Sequence, residues 1–101
     1  HDQGKLRYEL IPYRFLEALA FVYTYGAGKY LPDNWREGMN WSRDYAALMR
    51  HLQAWWGKGV SLDCEGGFHH LAAVGFYAAK LIEYEVTHPE FDDRPGGKGN
   101  T

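Results

Sequence analysis

Ser42-Arg43-Asp44-Tyr45-Ala46-Ala47-Leu48-Met49-Arg50-His51-Leu52-Gln53-Ala54-Trp55-Trp56, residues 42–56, is the stretch that decides the fold. Tyr45, Leu48, Met49, Leu52 and Trp56 recur at three- and four-residue intervals, the period of one helix face. Ser42 reads as the N-cap, Asp44 complements the first-turn dipole, and Gly57 supplies the stop. Working outward, Phe68 to Val86 repeats the pattern, with Val74, Tyr77 and Leu81 on one stripe and Leu71, Ala78 and Ile82 beside it. This third helix is expected to be the longest. Upstream, Pro12 suits a first helical turn, and Leu16, Leu19, Ala20 and Tyr23 predict a helix over about 12–25 that packs on its leucine face and stops at Gly26 and Gly28.

Between these helices lie two shaped connections. Residues 27–41 carry turn chemistry and aromatic side chains, and residues 57–70 gather Asp63, Cys64, Glu65, His69 and His70 into eight positions. Residues 1–11 and 87–101 read as irregular, and the last few residues as mobile. No stretch alternates with period two. The expectation is therefore an all-α chain, three main helices with a long aromatic loop and an acidic, histidine-bearing loop, forming a single domain over residues 1–101.

Composition narrows the function classes. A chain of 101 residues supports one small core, yet 17% of it is aromatic, with four Trp and eight Tyr. That much aromatic surface lines a pocket for a flat ligand or is covered by a second copy, so a homodimer or higher homo-oligomer is expected. A formal charge of −2 gives no field for coating nucleic acid or an anionic membrane. One Cys makes no internal disulfide, and no apolar run reaches membrane-spanning length, which points to a soluble, intracellular protein. Because His1 stands where an initiator Met is expected, the numbering is expected to begin inside the natural chain.

Asp63, Glu65 and His70 form the densest set of candidate ligands. Beside a helix start, two carboxylates and an inward histidine suit a divalent metal, a positioned water or a phosphate. The plainer alternative makes Asp63 a cap, Glu65 a dipole-matching residue and His70 a core histidine bonded to a carbonyl. His69 turns to another face, and the lone Cys64 argues against zinc. Glu17 lies on the side of the first helix with Ala20, Phe21 and Thr24, either solvated or facing a cleft. On the second helix, Asp44, Ala47 and His51 share one polar edge; a solvated face accounts for Arg50, whereas His51, one turn before Trp55, fits a pocket.

Cationic and aromatic residues make a further group: Lys5 and Arg7, then Lys29-Tyr30 and Asn34-Trp35-Arg36. Their N–H donors suit phosphate oxygens, and aromatic faces can stack on a base. Gly4-Lys5 is no P-loop, since the upstream glycine spacing and the following Ser or Thr are absent.

Asp2-x-Gly4-Lys5-x-Arg7, Tyr25-Gly26-Ala27-x-Lys29-Tyr30, Asn34-Trp35-x-x-Gly38, Arg50-His51-Leu52-x-x-Trp55 and Asp63-x-Glu65-x-Gly67-x-x-His70-Leu71-Ala72 follow one another in this order. From Asp2 to about Arg94 the chain resembles the small phage-associated dATP/dGTP diphosphohydrolase domain, a family related to the MazG-like all-α NTP pyrophosphohydrolases. The resemblance implies a phage-type enzyme in the cytoplasm of an infected bacterium that converts dGTP or dATP to the monophosphate and pyrophosphate. It further implies Mg²⁺ or Mn²⁺ held by Glu17, Asp63, Glu65 and His70. Lys5, Arg7, Lys29 and Arg94 would contact phosphates, Trp35 and Trp55 would pack near the base, His51 would orient a phosphate or a sugar hydroxyl, and Tyr30, Asn34 and Arg50 are further expected substrate-binding residues. Glu17, Glu65 and His51 are the expected catalytic residues. The chain departs from the family pattern at Ala73, where a histidine is frequent, and at Gly59-Val60, where a Gly-Glu pair is usual. It also lacks the paired Glu-x-x-Glu and Glu-x-x-Asp motifs of MazG-like enzymes. A non-catalytic protein that sequesters a nucleotide or cyclic nucleotide is the alternative, and a purely structural module is the third class.

Overall fold

Pro12 ends the exposed N-terminal segment, and its carbonyl accepts the N–H groups of Phe15 and Leu16 to start the first helix. The computed structural model describes residues 4–29 and 33–97. Among them are three α-helices, α1 (Tyr13–Lys29), α2 (Trp41–Trp56) and α3 (His70–Thr87), with short 3-10 turns at Tyr8–Leu10, Asn34–Glu37 and Pro89–Phe91. The only strand-like pairing among these residues is an isolated antiparallel bridge between Leu62 and His69. The fold is all-α, and α3 is its centre, packed chiefly on α2 and also on α1. Among the described residues, no helix is long and apolar enough to cross a membrane.

Helix α1 runs a full turn past the expected stop, through Gly26 and Gly28 to Lys29. A helical glycine costs about 1 kcal/mol relative to alanine. Here the last turn is tied down from outside, because Tyr25 Oη and Lys29 Nζ both donate to Glu65. The buried face also differs from the leucine face expected: Leu16 and Ala20 are exposed, Val22 is buried, and Leu19 and Tyr23 are half-buried beside it. At Gly75 of α3, an added Cβ would come within 2.9 Å of the Phe15 ring, so glycine allows the close approach of α1 and α3.

Helix α2 begins at Trp41, one residue before the expected cap, with Asn40 at the N-cap position. Ser42 does not cap. Its N–H and its hydroxyl both donate to the Asp93 carboxylate, so the C-terminal segment satisfies the helix start. The face turned inward is the edge of Trp41, Asp44, Ala47 and half-buried His51, while Tyr45 and Trp56, expected inside, are exposed. Charge pairing with Lys80 makes that burial possible. Helix α3 starts at His70 rather than Phe68 because His69 is its N-cap, its Nδ1 accepting from the Leu71 N–H. His70, Ala73, Lys80 and Tyr84 lie along its most buried stripe.

The C-terminal segment does more than the expected irregular tail. His88 Nε2 meets the Arg36 carbonyl, Trp41 Nε1 donates to the His88 carbonyl, and Arg94 lies over the Trp41 ring. Phe91 is half-buried and Gly97 buried, so this segment does supply packing residues. The residues expected to be mobile, 98–101, lie outside the described residues, as does Tyr30.

Candidate functional site

Two histidines from different helices meet an aspartate from the loop between them. The loop is shaped by its own backbone: the Asp63 N–H donates to the Phe68 carbonyl, the Gly67 N–H to Asp63, and the His70 N–H to Ser61. Asp63 Oδ1 accepts the N–H groups of Glu65 and Gly66, at 2.9 and 2.8 Å, which fixes the carboxylate as an Asx turn rather than a cap for α3. His70, in the first turn of α3, faces His51 of α2 with their Nδ1 atoms 2.9 Å apart. One ligand atom from each of His51, Asp63 and His70 lies within 4.8 Å of the other two. His51 is backed by the stacked ring of Tyr77 and the edge of Phe68.

The electrostatics favour the metal-binding forms of His51 and Asp63. Burial, then the neighbouring His70, pushes His51 below the usual imidazole range, against the opposing pull of Asp63. The Gly66 N–H, then that of Glu65, holds Asp63 below the usual carboxylate range, with His70 and His51 adding to the effect. Neutral imidazole nitrogens and an ionised carboxylate are the ligating species. Two imidazole nitrogens this close, with the Asp63 carboxylate beside them, could both ligate one divalent ion.

Around this cluster the other expected residues divide. Glu65 is exposed, its Oε1 3.2 Å from both Tyr25 Oη and Lys29 Nζ, so it joins the loop to the end of α1 and brings Lys29 beside the site. Arg50, exposed, precedes His51, and Trp55, half-buried, follows it by one turn beside Trp56. Asn34 and Trp35 sit in the 3-10 turn after α1, where the Arg36 guanidinium lies 4.4 Å over the Trp35 ring. Lys5 and Arg7 lie in the exposed N-terminal segment, and Arg7 pairs with Glu9.

Glu17 and Arg94 are not brought to the cluster. Glu17 shares the exposed face of α1 with Ala20, Phe21 and Thr24. Arg94 is held by Asp92, Glu85 and the Trp41 ring at the start of α2. Ten residues of helix separate Trp41 from His51, about 15 Å along the axis. Cys64 is exposed and outside the cluster.

Sequence reasoning missed a second feature, a cleft of about 510 Å³ walled by Tyr23, Trp35, Phe76, Tyr77 and Tyr84. Lys80 lines it, although the residue is only 5% exposed, and pairs at 2.9 Å with Asp44, which is 1% exposed. Tyr84 Oη donates to the Trp35 carbonyl; burial, then the Asp44 charge, pushes its pKa up to about 12. Asp44 was readable as a first-turn acid. Lys80 is one cation in an apolar helix, and no local signal ties it to a residue on another helix. Tyr77 belongs to both places, lining the cleft and stacking on His51.

No curated protein and no solved structure matches the chain. A family model described as dATP/dGTP diphosphohydrolase, N-terminal, matches residues 1–94, which takes in the three helices, the cluster and every residue named around the cleft. The chain belongs to the family of the dATP/dGTP diphosphohydrolase N-terminal domain.

Proposed function

We propose that this domain binds a purine deoxynucleoside triphosphate and hydrolyses it, with a divalent metal, to the monophosphate and pyrophosphate. The observation that carries the reading is the convergence of His51, Asp63 and His70. Two imidazoles and one carboxylate form a donor set better suited to Mn²⁺ or another transition ion than to Mg²⁺, which prefers oxygen ligands. When bound, the ion neutralises phosphate charge and makes water more acidic. Beside it, Lys29 offers an ammonium to the phosphates, and Lys5, Arg7 and Arg50 add positive charge. Water attacks the α-phosphorus; the new O–P bond replaces the bond to the α–β bridging oxygen, and pyrophosphate leaves. Glu65, two residues from Asp63, takes the proton at its carboxylate. Metal-binding roles for Glu65 and Glu17 are not part of this proposal, because their side chains lie outside the cluster.

The test is turnover. With dGTP or dATP and Mn²⁺ the protein releases pyrophosphate, and Glu65→Ala stops release while circular dichroism stays helical. Tight nucleotide binding without product at any metal concentration supports a sequestering protein instead, a reading favoured by Ala73 and by the missing Glu-x-x-Glu motif.

The same reading includes a homo-oligomer, at work in the cytoplasm of a phage-infected bacterium. Phe15, Leu16, Phe21, Trp56 and Ile82 are large and exposed, and a second copy would cover such surface. Light scattering checks it: a monomer mass at micromolar concentration removes the oligomer from the proposal.

A further inference from the structure

The cleft presents a largely aromatic space whose wall also carries Asp33, Asn34 and Glu37, with Lys80 its one buried cation, and that combination selects among bases. Tyr23 meets Phe76 edge-on at 4.9 Å between ring centres and Trp35 at 6.3 Å, while Tyr77 and Tyr84 continue the wall. A space of about 510 Å³ is in the range of small-ligand sites. Lys80 Nζ has three N–H donors. Among the described residues its one close carboxylate is Asp44 Oδ1 at 2.9 Å, and neither Asp44 oxygen has an aligned hydrogen-bond partner there, so charge rather than a directed bond holds the pair. The next contacts are the Met39 sulfur at 3.8 Å and the rings of Phe76, Tyr77 and Tyr84 at 5.7–5.9 Å. Thioether sulfur is a weak acceptor, so among the described residues Asp44 is the one strong acceptor beside a cation that has three N–H groups to donate.

We propose that this cleft is the base subsite and that Lys80 makes it select guanine over adenine, an inference that rests on the nucleotide reading above. Guanine presents two acceptors, O6 and N7, on one edge, the pattern a lysine ammonium donates to. Adenine presents N7 beside an amino donor, which opposes the ammonium. Asp44, paired with Lys80 at 2.9 Å, is a positioning residue that holds the cation in place. The cleft also has the right neighbour. Tyr77 separates it from His51, and Gly26 and Ala27 of its wall lie on the same end of α1 as Tyr25 and Lys29, which reach Glu65. A nucleotide with its base in the cleft therefore directs its phosphates toward the cluster.

The experiment compares dGTP, dITP, dATP and the triphosphate of 2-aminopurine deoxyriboside on the unmodified protein with Mn²⁺. Inosine keeps O6 and lacks the 2-amino group, whereas 2-aminopurine has the reverse. dGTP and dITP are expected to be alike in kcat/KM, with dATP and the 2-aminopurine compound lower by about tenfold or more. Equal use of dATP, or of the 2-aminopurine compound, overturns the assignment. Lys80→Met combined with Asp44→Asn should collapse the ratio; if that protein does not fold, the analogue series alone decides. Calorimetry with dGMP and dAMP in the absence of metal separates the two claims. Preferential dGMP binding without turnover of any triphosphate keeps the base subsite and removes the hydrolase, while turnover indifferent to O6 removes the subsite and keeps the hydrolase. Neither binding nor turnover removes both.

Discussion

His51 and His70 stand 19 residues apart on different helices, yet their Nδ1 atoms meet at 2.9 Å, with the Asp63 carboxylate beside them. Apart from a metal, such a pair has one stable arrangement, an Nδ1–H donating to the other ring's lone pair. In the metal-bound form proposed above, both lone pairs would face the ion.

Removing either imidazole should therefore remove metal binding. In thermal melts, Mn²⁺ added to EDTA-treated protein is expected to raise the midpoint, by the equivalent of about 2.7 kcal/mol at a hundredfold excess over Kd. His51→Ala and His70→Ala should lose that rise. Pyrophosphate release should fall by about 100-fold or more, beyond the usual cost of losing an outer-shell partner. A full metal-dependent rise in either variant would contradict the site.

The buried pair of Asp44 and Lys80 makes a stability prediction independent of catalysis. Lys80→Ala strands a carboxylate that is 1% exposed and should cost about 3–5 kcal/mol in urea unfolding. Lys80→Met with Asp44→Asn removes both charges and should recover most of that loss. Additive losses in the double variant would show that the two side chains do not act as a pair.

His88 should make stability depend on pH near neutrality. The Arg36 carbonyl, then Glu90, raises its pKa above the ordinary imidazole value, because the charged ring can donate from both nitrogens. A raised folded value stabilises fully below the unfolded pKa of about 6.5 and ceases to do so as pH climbs through the folded value. The melting midpoint is expected to drop as pH rises above about 6.5, and His88→Gln should flatten the drop. An unchanged slope in that variant would assign the pH dependence elsewhere.

Gly38→Ala tests the joint between the aromatic turn and the C-terminal segment. Gly38 has φ +94°, and an added Cβ would lie 2.9 Å from both His88 Nδ1 and a carbon of the Phe91 ring. Strain and contact act together, so the loss should exceed about 1 kcal/mol by thermal or chemical unfolding. A neutral effect would mean that this joint yields freely.

The helices were legible because their apolar residues recur with a strong period, and the order of the motifs was legible because it is linear. Faces were harder. The edge of Asp44, Ala47 and His51 read as polar, with His51 alone assigned to a pocket, because polarity is a local property, whereas the burial of Asp44 depends on Lys80 of α3. Gly26 and Gly28 carried the usual mark of a helix end, and contacts with Glu65 from a loop 36 residues on from Lys29 overrode it. In the same way Ser42 looked like a cap, while Asp93 from the far end of the chain meets it.

Spacing and residue type were enough to specify three helices, an acidic loop at the start of α3 and an inward His70, since backbone periodicity and turn chemistry act over a few residues. Which ligands converge was settled by the packing of α2 on α3. That packing chose His51 to complete the cluster with Asp63 and His70 and sank Lys80 beside Asp44, while the rotation of α1 left Glu17 on an outer face and the returning C-terminal segment set Arg94 on Trp41. Contacts between distant segments depend on how helices are rotated and slid against one another, and a one-residue shift turns a helical side chain by about 100°.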